Sequence, residues 1–308
     1  MSQCAFITHS ICAKHDMGDG HPECPERLAA INDALISARL MDFLQVHDAQ
    51  LAEDRHLARA HTAEHIALVR QLAPEQGDVA LDADTSMNRY SLEAALRAAG
   101  AVVQACDMVM AGQVKSAFCA VRPPGHHAEY DRAMGFCIFN NIAVGAYHAL
   151  EEHGLERVVI VDFDVHHGNG TEHIFADEKR VLLCSSYQHP FFPYSYGPSI
   201  AGQRINVPLN AGSGSEEFRA AVVEQWLPAI EQFEPQMIFF SAGFDAHRMD
   251  PLANLHWSEE DFGWVTAEVK KLANRHSAGR IVSSLEGGYD LHALGVSTVA
   301  HISALLGL

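Results

Sequence analysis

The segment Val158-Val159-Ile160-Val161-Asp162-Phe163-Asp164-Val165-His166-His167-Gly168-Asn169-Gly170 constrains this chain more than any other. Its four β-favouring apolar residues read as a buried strand. They run straight into two carboxylates and two imidazoles, and then into a glycine-rich turn. Burying such groups at a strand end is costly unless something offsets their charge. A metal ion offsets it, so the pattern predicts a metal site at a strand end, with further ligands on neighbouring strands.

Short β-rich runs alternate with longer helical patterns along most of the chain. The runs predict strands over 5–8, 117–121, 158–161, 181–185, 237–240 and 281–284. Helical patterns cover 25–38, 63–72, 92–110, 142–152, 215–232, 259–274 and 291–306. Pro25 suits a first helical turn, where its missing N–H is not needed. Ser258 with Asp261 three residues on has the spacing of a capping box. Such alternation implies one domain over 1–308, a mainly parallel sheet with helices on both faces. Ligands of open parallel sheets sit beyond the carboxyl ends of the strands. Besides the opening segment, three other strand ends carry glycine with polar side chains. These are Arg122-Pro123-Pro124-Gly125-His126-His127, Ser241-Ala242-Gly243-Phe244-Asp245-Ala246-His247 and Leu285-Glu286-Gly287-Gly288-Tyr289-Asp290. Four such turns on one edge make a site where one would not.

Composition narrows the class. With 48% hydrophobic and 19% charged residues in 308, the chain has the make-up of a soluble globular protein that can bury a core. The net charge of −18 argues against non-specific nucleic-acid binding, which needs clustered Lys and Arg. It suits a cationic substrate or a lysine-rich partner, and equally a plain solvated acidic surface. The seven cysteines include no C-x-x-C pair and read as reduced thiols. Residues 1–10 lack a basic stretch followed by an apolar one, so no secretory signal is expected. No apolar run approaches the roughly 20 residues of a membrane span. A cytoplasmic enzyme is the expectation.

Asp164 and His166 are two apart on an extended or turning backbone, so their side chains point the same way and can grip one ion. Asp245, at another strand end, completes a three-ligand set. Two carboxylates and one imidazole fit zinc with an open position, and Fe(II), Co(II) or Mn(II) also suit donors this hard. Asp162, on the same parity, reads as an acid behind the ligands or as part of a buried ion site. His167 points the other way and reads as packed beside the sheet. His126 and His127, on a loop stiffened by two prolines, can form a proton-transfer pair. A second metal pair or two surface histidines are the other readings of that dipeptide. Asp162 could accept from one imidazole and Asn169 could orient the other, with an amide leaving its histidine less basic than a carboxylate would. Tyr289, after two glycines, can present a phenol to an oxygen gaining negative charge, or it is a tyrosine of the core or rim.

Together, Arg122-Pro123-Pro124-Gly125-His126-His127 with Met134-Gly135-Phe136-Cys137, Asp162–Gly170, Ser241–Asp245, Glu286–Tyr289 and His21-Pro22-Glu23 with Glu26-Arg27 resemble the zinc-dependent histone deacetylase and acetylpolyamine amidohydrolase family. The match looks closest to its class II and bacterial members, and it covers nearly the whole chain. The resemblance implies a three-layer α/β/α arginase-like fold and one zinc per chain on Asp164, His166 and Asp245. It makes His127 the general base and acid, and His126 an electrostatic partner oriented by Asp162. It makes Tyr289 the carbonyl polariser and Asn169 a replacement for an acid found in class I members. Phe136 and Phe192, with Gly135, match the walls of an acyl-lysine tunnel. A structural potassium is implied at the backbone oxygens of Asp162, Asp164 and His166 with Ser185 and Ser186. The implied reaction is hydrolysis of an amide by a zinc-activated water.

The family divides between acyl-lysine in proteins and acetylated polyamines. In its polyamine-selective eukaryotic branch an acidic gatekeeper follows an Asp-Pro pair. Here that stretch is Asp250-Pro251-Leu252, and the neutral Leu252 removes a specific attraction for a distal ammonium. More distant readings are a two-metal ureohydrolase, whose D-x-D pair Asp245-Ala246-His247 lacks, and a non-catalytic acyl-lysine-binding protein, against which His127 and Tyr289 argue. The sequence leaves the oligomeric state open. An acetyl-lysine peptide is expected to show a higher kcat/KM than acetylputrescine or acetylspermidine in side-by-side assays; the reverse ranking would overturn the preference assigned to Leu252.

Overall fold

Successive side chains of a strand leave on opposite faces, and here both sets are apolar, so the sheet needs cover on both sides. The computed structural model describes residues 4–308 and supplies that cover. The first three residues of the segment read for a secretory signal lie outside the described ones. The strands are β1 Cys4–Thr8, β2 Leu44–Asp48, β3 Val79–Ala80, β4 Ser86–Met87, β5 Ser116–Cys119, β6 Val158–Asp162, β7 Val181–Gln188, β8 Arg204–Leu209, β9 Met237–Ala242 and β10 Ile281–Leu285. Eight of them form one sheet in the order β2-β1-β5-β10-β9-β6-β7-β8, and every pairing in it is parallel. The other two, β3 and β4, make a small antiparallel ribbon.

The helices are α1 Glu26–Ser37, α2 Asp54–Leu57, α3 Ala63–Leu72, α4 Ser91–Met110, α5 Asn141–Glu151, α6 Asn169–Ile174, α7 Ser215–Ala221, α8 Leu227–Phe233, α9 Glu259–His276 and α10 Leu291–Leu306. Val158, Ile160 and Phe239 pack with residues of α3, α4 and α5 in one core. Val159, Val161 and Phe240 pack with α1, α7, α9 and α10 in a second core on the opposite face. The result is the three-layer α/β/α arrangement. Helix α4 lies so close to the loop after β2 that a Cβ on Gly100 would stand 2.1 Å from the Gln50 carbonyl oxygen, a place only glycine fills.

The predicted strands recur as β1, β5, β6, β7, β9 and β10, mostly a residue or more longer. Strands β2 and β8 were not expected. Both lie on edges of the sheet, where only one flank is paired and the sequence need not be uniformly apolar: β2 buries Leu44 alone, and β8 contains Pro208, which edge strands tolerate. The helix predicted over 215–232 is α7 and α8 joined by a π-helical turn, Val222–Trp226, with Pro228 entering α8 directly after it. The capping box forms: the Ser258 N–H donates to Asp261 Oδ2 at 2.9 Å. No described helix is long and apolar enough to cross a membrane.

Three histidines are buried away from the sheet edge in uncharged form. Burial lowers His15 to about 4, and His61 and His301 to about 3. His301 sits between the hydroxyls of Thr266 (2.6 Å) and Ser283 (2.8 Å). A histidine whose folded pKa is depressed takes up its proton more readily unfolded. Its stabilising effect is therefore complete above about pH 6.5 and is lost as pH falls towards the folded value. Unfolding free energy from urea titrations is expected to decline from pH 6.5 to pH 4, and His301→Gln to make that decline shallower; an unchanged slope would show that His301 does not bear on acid stability.

Candidate active site

The four polar turns emerge from β5, β10, β9 and β6, four strands adjacent in the sheet. Parallel pairing brings their carboxyl ends level, with Asp162 of β6 opposite Ser241 of β9, and Ser241 opposite Ser284 of β10. Asp164, His166 and Asp245 meet there, all buried, with one ligand-capable atom each within 4.8 Å of the others. His166 Nδ1 lies 3.0 Å from Asp164 Oδ1 and 3.2 Å from Asp245 Oδ2. Backbone N–H groups fix the carboxylates: Gly287 donates to Asp164 Oδ2 at 2.9 Å, and Val165 to Asp245 Oδ1 at 2.8 Å. Asp245 Oδ2 is buried with no hydrogen-bond partner. A Cβ on Gly243 would stand 2.0 Å from Asp164 Oδ2, and one on Gly287 2.0 Å from Asp245 Oδ2. The two glycines thus form a cradle around the carboxylates.

The electrostatics suit a cation. Burial pushes the Asp245 carboxyl up, and the Asp164 charge pushes it further. Burial also works against an ionised Asp164, but His126 and His166 hold its pKa down. Burial disfavours a charged His166, yet the neighbouring Asp164 and Asp245 carboxylates raise it to about 10. Two hard carboxylates, one imidazole and an orphaned oxygen fit a divalent ion with nitrogen and oxygen preference. Two other His/acid groupings among the described residues fit one less well. At His148, Arg59 faces Nδ1 at 3.4 Å, which leaves Nε2 as the donor to Asp107 at 2.7 Å rather than a ligand. The grouping of Glu129, Asp131 and His173 is largely exposed, and its Glu129 already pairs with Arg132.

Beside the triad, the His126 and His127 rings lie 4.0 Å apart between centroids but have opposite partners. His126 Nδ1 meets Asp162 Oδ2 at 3.0 Å, and His127 Nδ1 meets Asn169 Oδ1 at 2.7 Å. Burial opposes a charge on His126, yet Asp164 and Asp162 lift its pKa well above the usual imidazole range. Burial lowers His127 far below that range, and the His126 and His166 charges add to the effect. One imidazole is therefore held charged and its neighbour neutral. His167 turns away: its Nε2 meets Glu172 at 2.9 Å and its ring packs on Tyr187 at 4.7 Å.

A narrow cavity of about 150 Å³ leads to this cluster, lined by Asp84, His127, Gly135, Phe136, His166, Phe192, Leu252 and Tyr289. Gly135 and Phe136 both have positive φ (57° and 67°), and a Cβ on Gly135 would meet the His127 ring at 2.5 Å. The loop between β3 and β4 secures this bend. Asp84 accepts from the Gly135 N–H at 3.0 Å, and Thr85 Oγ1 from the Phe136 N–H at 2.9 Å. Tyr289 faces Phe136 edge to face at 6.0 Å. Its phenol is kept protonated, its pKa raised well above normal by burial and then by Asp245.

Several supports escaped the sequence reading. Buried Glu286 accepts from the Gly125 and His126 N–H groups at 2.6 and 3.1 Å, so it holds the histidine turn; burial raises it to about 7. Arg27 donates to the Gly288 and Glu286 carbonyls at 2.7 and 2.5 Å, and its guanidinium lies 5.1 Å from the Tyr289 ring centre. Glu23 binds both Arg27 and Arg122, and against its burial these cations hold its pKa near about 2. Asp250 accepts from the Tyr289 and Leu252 N–H groups at 2.7 and 3.0 Å, tying two cavity walls together. Glu23, Arg27 and Glu286 were visible inside the family motifs; their pairing across the chain was not.

A model of the histone deacetylase domain matches residues 21–305. Over 296 residues the chain is 39% identical to a histone deacetylase-like amidohydrolase of Pseudomonas aeruginosa, covering 94% of this chain and 78% of that protein. It is 37% identical to polyamine deacetylase HDAC10 of Mus musculus over 92% of this chain and 45% of that one. The chain spans about half the length of several curated relatives that it matches. A crystal structure of the HDA15 HD domain superposes with a TM-score of 0.93 at 35% identity, covering 100% of this chain and 90% of that one.

If the glycine cradle shapes the metal site, Gly287→Ala is expected to weaken zinc affinity about 10- to 100-fold in competition with a chromogenic chelator, while circular dichroism stays unchanged. Equal retention would show that the carboxylates do not need the cradle.

Proposed function

Because the chain belongs to the histone deacetylase family, we propose that it removes acetyl or other short acyl groups from the ε-amine of lysine in peptides or proteins, acting as one domain. One observation carries this reading: His127, His166 and the Tyr289 phenol line one narrow, aromatic-walled cavity, with Asp164 and Asp245 grouped on His166 and His126 packed against His127 behind them. That shape takes an unbranched aliphatic chain end-on and presents its amide to the polar groups.

Asp164, His166 and Asp245 would hold zinc, with Fe(II) or Co(II) as donor-compatible alternatives. A bound ion there supplies a Lewis acid for the amide carbonyl and makes water more acidic. With its Nδ1 engaged by Asn169 Oδ1, neutral His127 has Nε2 free to take the proton of the attacking water. It then returns that proton to the leaving amine. His126, held by Asp162 and positively charged, stabilises the negative charge that develops beside it. The Tyr289 phenol donates to the oxyanion from the opposite wall. Phe136, Phe192, Gly135 and Leu252 guide the alkyl chain. A potassium ion would be held by the backbone oxygens of Asp162, Asp164 and His166 with Ser185 and Ser186; the two serine hydroxyls leave β7 on opposite faces, so one of them, buried without a hydrogen-bond partner, would join the site.

Acetylated polyamine is the second substrate class, supported by the relative named a polyamine deacetylase; the neutral Leu252 on the cavity wall favours lysine. A cytoplasmic location accords with seven cysteines that form no disulfide. Tyr289→Phe is expected to lower kcat on a fluorogenic acetyl-lysine peptide by about 100- to 1,000-fold, the cost of losing one oxyanion donor, with zinc content unchanged and chelator-sensitive activity in the parent. Undiminished turnover would remove Tyr289 from the reaction.

A further inference from the structure

Asn169 is an ambiguous partner for a catalytic histidine. Turning its amide by 180° keeps the shape but exchanges acceptor for donor. As placed, Oδ1 faces His127 Nδ1 at 2.7 Å, which puts the ring proton on Nδ1 and leaves Nε2 free to accept. In the turned amide, the NH₂ group would face Nδ1 and the ring proton would move to Nε2. His127 could then accept no proton from water.

Three groups meet the amide nitrogen. Met134 Sδ at 3.3 Å is a weak acceptor, and the His127 carbonyl at 3.5 Å lies at the limit of a hydrogen bond. The third is the Glu129 carboxylate, which accepts at 2.7 Å. Glu129 is itself steadied by Arg132 at 3.0 Å and His173 at 3.3 Å, and its side chain is only 14% exposed. A turned amide would set Asn169 Oδ1 against this carboxylate, two acceptors with no proton between them. Glu129 and Asn169 also line a polar cavity of about 490 Å³ that shares no lining residue with the acyl tunnel, so Glu129 stands outside the tunnel and acts through Asn169.

We propose that Glu129 is a positioning residue: through Asn169 it dictates which nitrogen of His127 carries the proton. The proposal rests on the deacetylase reading and adds to it a third member behind the histidine. The Asn169 amide conveys the Glu129 charge as an orientation. An aspartate at position 169 would need no such orientation and would instead be repelled by Glu129.

That difference supplies the test. On an acetyl-lysine peptide, E129A and the isosteric E129Q are expected to lower kcat about 10- to 100-fold, with KM within about twofold, and with zinc content and thermal midpoint near those of the parent. R132A, which removes only an exposed outer partner, is expected to change kcat less than about twofold. In the N169D background the sign reverses: N169D/E129Q turns over faster than N169D alone. Parental kcat in both E129A and E129Q, or a fall on replacing Glu129 in both backgrounds, overturns the proposal. A parent protein inactive on acyl-lysine peptides and acetylpolyamines alike would instead sink the deacetylase reading beneath it.

Discussion

Everything at the working edge of this protein answers to one electrostatic constraint: four carboxylates, Asp162, Asp164, Asp245 and Glu286, are buried side by side at the ends of adjacent strands. Each would be expensive there alone. The surroundings meet the cost in different ways. Asp162 charges His126, and Asp164 and Asp245 bracket His166 and a cradle for a cation. Glu286 is turned to backbone N–H groups and drawn towards neutrality. The same arrangement splits two neighbouring histidines into a charged and a neutral partner. The opposite shifts of His126 and His127 follow from where the carboxylates lie, with no difference in the rings themselves.

Residues contiguous with strand ends were legible in the sequence. The run from Val158 to Gly170 announced both the strand and two side chains, Asp164 and His166, that the fold groups with Asp245, because burial of a β run and the polarity of its exit are local properties. The three companion turns carried the same signature, so Asp245 and the histidine pair could be placed at the same edge. What escaped was of two kinds. Edge strands β2 and β8 have one unpaired flank and carry no continuous apolar signal. Supports such as Asp84, Glu129 and Asp250 are single acids in acidic surroundings, and their importance lies in a partner many residues away. Asp84 in particular is aimed by a two-residue ribbon too short for any periodicity to reveal.

The narrow cavity shows how indirect substrate shape can be. Its walls are aromatic, but their placement rests on polar bonds behind them. Asp84 and Thr85 hold Gly135 and Phe136 in a left-handed bend, Asp250 links the Leu252 turn to Tyr289, and Arg27 reaches under the Tyr289 ring. Change in Thr85, Asp250 or Arg27 would reshape the cavity without altering any residue that lines it.

The strand order carries a consequence for how the molecule comes together. Strands β2, β1 and β5 pair among themselves, and so do β9, β6, β7 and β8; the two groups meet only through β10, which follows all the others in the chain. Until β10 slides between β5 and β9, the histidine turn and the ligand-bearing turns belong to separate half-sheets with open inner edges. Such late, long-range pairing is slow and leaves edges exposed. A chain halted before Ile281 would keep Asp164, His166 and Asp245 together on the paired β6 and β9, but it would lack Glu286, Gly287 and Tyr289, and its histidine turn would stand on a separate half-sheet.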